Sequence, residues 1–89
     1  MITGKTKSGF EFEVKENALD DMRLLDAVAE VADGSNPLAL SFVVKQILGE
    51  SRNALYLHVA EKDGRVPVEK VNDEITEIIN AYGKAGKNS

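Results

Sequence analysis

The segment from Leu38 to Leu48 places the strongest constraint on the fold, because it is apolar on nearly every side when drawn as a helix. Asn36 and Pro37 stand just before it, and proline is well suited to the first position of a helix. A helix that is apolar nearly all round usually lies at the centre of a core. We therefore expect this segment, which Gly49 ends, to be surrounded by other elements.

A helix is also expected before this segment. It would begin at Asn17, a favourable N-cap, and end at Asp33-Gly34-Ser35. Asp20 and Asp21 then fall in its first turn, where negative charge complements the helix dipole. The predicted apolar stripe of this helix consists of Met22, Leu25, Val28 and Ala29 or Ala32.

Two further helices are expected after the central segment. One runs from about Ser51 to Glu61 and leaves through Lys62-Asp63-Gly64, with Leu55, Leu57 and Val59 as its apolar residues. The other begins at Pro67 and is capped by Gly83, and it has the clearest amphipathic pattern in the chain. Its apolar residues recur at intervals of three and four: Val68, Val71, Ile75, Ile78, Ile79 and Tyr82.

The N-terminus reads as a β-hairpin. Two β-prone runs, Ile2–Thr6 and Phe10–Val14, are joined by Lys7-Ser8-Gly9, and apolar residues alternate with glutamates in the second run. A lone hairpin is marginal in water, so its apolar face must lie against the helices. The sequence therefore predicts an α+β fold in which an N-terminal hairpin packs on about four α-helices. This single domain would cover residues 1–83, and residues 84–89 would form a flexible polar tail.

Charge and composition narrow the classes of function. The chain has 89 residues, no cysteine and a formal net charge of −4. The lack of cysteine fits a reducing compartment, no apolar run could span a bilayer, and no export signal is visible, so a cytoplasmic protein is expected. The net negative charge disfavours binding to nucleic acid. Eight acidic residues lie between Glu11 and Asp33, and they form either a solvated helix face or a docking patch for a basic partner that includes Asp20 and Asp21.

No catalytic, cofactor or metal site is predicted. His58 is the single histidine, and its serine partner would have to be Ser41 or Ser51, neither of which has an elbow motif. The turn around Gly64 superficially resembles a calcium loop, but Val59 and Lys70 would occupy the positions that need acidic ligands. We therefore read this segment as a tight turn.

The third helix offers a candidate surface for protein contacts. Arg52 and Tyr56 are one turn apart on the same face of that helix, and both residue types are enriched in interface hot spots. The alternative is that they are partly buried anchors of the domain. Arg52, Tyr56, Asp20 and Asp21 are the residues that we expect to contact a partner.

Three stretches, taken together, carry a family resemblance: Gly4–Phe12, Asp33–Leu38 leading into Leu48-Gly49, and Asp63–Val68. In this order and spacing, the chain resembles the small tail assembly chaperones of siphophages and prophages from Gram-positive bacteria. The resemblance covers nearly the whole chain, and each stretch alone is a common turn or cap.

The resemblance implies a non-enzymatic role in the cytoplasm of a bacterial host. Such chaperones coat the long, helical tape measure protein and keep it soluble while the tail assembles. The implied partners are the tape measure protein and the major tail protein, and members of the family also tend to self-associate. The alternative hypothesis is a small acidic adaptor or regulatory domain that binds another protein.

Overall fold

The computed structural model describes the backbone of residues 1–87 and the side chains of residues 1–82. It has an α+β fold, as the sequence predicted. The elements in chain order are β1 (Ile2–Lys5), β2 (Glu11–Val14), α1 (Met22–Ala32), α2 (Ala39–Leu48), a 3₁₀ turn (Gly49–Ser51), α3 (Arg52–Val59) and α4 (Val68–Lys87).

The expectation of about four separate helices requires correction. No loop residue separates α2, the 3₁₀ turn and α3, so the described chain has three helical stretches. Gly49 adopts a φ of 56°, which glycine reaches without the steric penalty of other residues. α3 can therefore follow α2 directly through the 3₁₀ turn, whereas the sequence predicted that the central helix ends at Gly49 and that a separate helix begins near Ser51.

The predicted hairpin is confirmed. β1 and β2 pair antiparallel, with Ile2 opposite Val14 and Gly4 opposite Phe12. The side chains of Phe10, Phe12 and Val14 are buried in the core, as their alternation with glutamates indicated. The hairpin thus presents one apolar face to the helices and one charged face to solvent.

The central position predicted for α2 is also confirmed in the main. α2 packs against α1, β2 and α3, and six of its residues are buried. One part of its surface nevertheless remains open. Leu38, just before the helix, and Phe42, one turn later, are both exposed.

The first helix begins later, and faces the core differently, than the sequence suggested. Asp21 is its N-cap and accepts a hydrogen bond from the Arg23 amide at 2.9 Å, whereas Asn17 belongs to the preceding turn. Leu24 and Ala27 are buried, while Met22 and Leu25 are exposed. The predicted stripe is therefore displaced by about a third of a turn, and of its residues Val28 packs partly against the core. The reason is that α1 carries apolar residues on two adjacent faces, of which only one meets α2.

The stripe of α4 is confirmed for Val71, Ile75, Ile78 and Tyr82, all of which are buried. Val68 on the same helix and Leu57 on α3 are exposed, contrary to expectation. The helix also continues beyond Gly83 to Lys87, because glycine costs only about 1 kcal/mol in a helix and leaves the hydrogen-bond ladder intact. Asn88 and Ser89 of the predicted tail lie outside the described residues.

Candidate protein-binding grooves

An apolar groove lies where the start of α2, α3 and the start of α4 meet. We call it the Tyr56 groove, and its volume is about 280 Å³. Among the described side chains, no charged residue contributes to its lining, and the two polar residues there are a serine and a tyrosine. The lining residues are Pro37, Leu38, Leu40, Ser41, Val44, Tyr56, Val66, Val68 and Val71.

The rim of the Tyr56 groove is unusually apolar for a solvent-facing surface. Leu38 is 84% exposed and Val68 is 68% exposed, and both line the groove. Single exposed apolar residues are common, but two at the edge of an uncharged groove form a contiguous patch. Such a patch is typical of a surface that another molecule covers.

A second groove separates α1 from α4, with α2 as its floor. This α1–α4 groove has a volume of about 290 Å³, and among the described side chains no charged residue lines it either. The lining comes from three helices: Val28, Val31 and Ala32 of α1, Leu40 and Val43 of α2, and Asn72, Ile75, Thr76, Ile79 and Asn80 of α4. Its α4 wall is partly polar, unlike the wall of the Tyr56 groove.

Leu40 lines both grooves. It is buried near the start of α2, so the two grooves lie on either side of one helix. Apolar residues of α2 thus line both grooves and also form part of the core. This explains why a segment that is apolar nearly all round is not covered on every side by its own chain.

Of the four residues predicted to contact a partner, the structure places one in a groove. Tyr56 is partly buried, packs against the core and lines the Tyr56 groove. Arg52 is partly buried and lies one turn before it, outside the lining of either groove. Asp20 and Asp21 are exposed at the start of α1, and Asp21 is occupied as the helix cap.

A polar network that the sequence did not reveal joins the hairpin turn to α3 and α4. The hydroxyls of Thr6 and Ser8 each donate to Glu74 Oε1 at 2.8 Å, and Ser8 Oγ lies 2.9 Å from His58 Nε2. Glu74 is only 6% exposed. Its burial could have been inferred, because Glu74 shares the face of Val71 and Ile78, three residues before it and four after it.

The network does not arrange Ser8 as a nucleophile. Its single hydroxyl proton is directed to Glu74, so the 2.9 Å contact requires His58 Nε2 to be the donor towards Ser8. An activated serine needs the reverse, with its proton given to the imidazole and the carboxylate on the other imidazole nitrogen. The geometry is that of a structural clamp on the hairpin turn.

The turn around Gly64 closes on itself. Asp63 Oδ1 accepts from the Arg65 amide at 2.9 Å, and Lys70 Nζ lies 3.0 Å from Glu61 Oε1. Within residues 1–87, no group of three acidic, histidine or cysteine side chains is placed to hold a metal ion. No helix in the same range has the length and apolarity needed to cross a membrane.

Comparison of the chain with protein-family models, with curated proteins and with solved structures gives no match. The two grooves and the exposed residues at their rims are the features of the described residues that indicate a binding surface.

Proposed function

We propose that the chain is a non-enzymatic phage tail assembly chaperone that binds the tape measure protein and keeps it soluble in the cytoplasm of the bacterial host. The observation that carries this proposal is the Tyr56 groove, which is uncharged and bordered by the exposed side chains of Leu38 and Val68. The family resemblance described above supplies the identity of the partner.

The physical chemistry of the groove suits a helical partner. A helix satisfies its own backbone hydrogen bonds, so it can enter an apolar groove with its apolar face and leave no polar group unpaired. Covering the apolar face removes the surface through which long amphipathic helices aggregate.

The size of the domain fits a coat of many copies. Its largest dimension is 42 Å, which equals about 28 residues of helix at 1.5 Å per residue. One copy thus covers only a short part of a long helical protein. Contact with the major tail protein and self-association along the coat belong to the same proposal.

Co-expression with the tape measure protein, whose gene this proposal places beside that of the chain, tests the proposal. We expect that protein to precipitate when it is expressed alone and to remain in the supernatant when this chain is present. Equal solubility with and without this chain would contradict the chaperone function. The hypothesis of a small acidic adaptor, which needs the same groove for a different partner, would then be the better one.

A further inference from the structure

We draw no further inference here: the strongest candidate, the α1–α4 groove with Leu40 and Val43 of α2 as its floor, is an open apolar surface, and nothing in the described part of the structure shows what covers it.

Discussion

The hydroxyl of Thr6, the residue that follows β1, donates a 2.8 Å hydrogen bond to Glu74 Oε1 of α4, 68 residues further along the chain. Ser8 donates to the same oxygen, and the Lys7 amide donates to Glu77 Oε1 at 2.7 Å. Two carboxylates of α4 thus hold the turn of the hairpin. This attachment keeps the apolar face of the hairpin on the core, which leaves the opposite side of α4 to form a groove wall.

We expect Glu74→Ala to lower the free energy of unfolding by about 2 kcal/mol, because it leaves two hydroxyls near a buried site without their charged acceptor. Glu77→Ala is the matched control, since its bond to Lys7 is exposed and should contribute less than about 1 kcal/mol. Urea unfolding measures both. Equal midpoints for Glu74→Ala and the wild type would show that the network does not hold the hairpin.

Gly4→Ala should also destabilise the fold, through a steric effect. A Cβ at position 4 would lie 2.6 Å from Cζ of Phe12, whose ring covers the glycine from the opposite strand. The ring is buried, so it can yield only by moving into packed neighbours, at a cost of about 1–3 kcal/mol. Thr3→Ala, at an exposed position of the same strand, should cost less than about 1 kcal/mol in the same measurement.

Ile75→Asp should unfold the domain or cost at least about 3 kcal/mol, because it places an unpaired charge in the core. Val68→Asp introduces the same side chain on the same helix at an exposed position and should leave the melting temperature nearly unchanged. If the two variants had the same melting temperature, the assignment of the buried face of α4 would be wrong.

Asp33 should become protonated at a lower pH than an ordinary aspartate does, because its pKa is lowered. Its pKa is lowered chiefly by the side-chain hydrogen bond with Ser35 and then by the bond from the Ser35 amide. A lowered folded-state pKa means that Asp33 stabilises the fold above its unfolded pKa, and that this contribution disappears as the pH falls through the folded value. An NMR titration of the carboxyl groups should give a higher pKa for Asp33 in Ser35→Ala than in the wild type. The same Asp33 pKa in both proteins would show that Ser35 is not the cause of the lowered value.

The hairpin and the buried stripe of α4 could be predicted because each has one unambiguous period. In β2, apolar residues alternate with glutamates, and in α4 the run Val71, Ile75 and Ile78 is bordered by polar residues. Which face of α1 is buried could not be predicted in this way. Its faces through Leu24 and through Leu25 are both apolar, and only packing against α2 determines which one is buried.

The candidate site shows the same limit. Tyr56 was predicted as a contact residue, and it does line a groove. Leu38 was instead assigned to the central segment expected to be surrounded by other elements, and Val68 to the apolar stripe of α4, because the sequence pattern cannot distinguish an apolar residue that meets the core from one at the open end of the same helix. The clamp of Ser8, His58 and Glu74 joins three distant segments, so no local pattern could reveal it.

We propose that the Tyr56 groove binds the tape measure protein through its exposed rim, and a double substitution at that rim tests this proposal. Leu38→Ser with Val68→Ser removes both rim side chains, and because both are exposed the melting temperature should stay close to that of the wild type. Leu57→Ser is the control, since Leu57 is 81% exposed on α3 but lines neither groove.

The measurement is the fraction of the co-expressed tape measure protein that remains in the supernatant with each of these chains. We expect the wild type and Leu57→Ser to keep it soluble, whereas the folded double variant should let it precipitate. Full solubility with the double variant would contradict the claim that this groove is the binding surface.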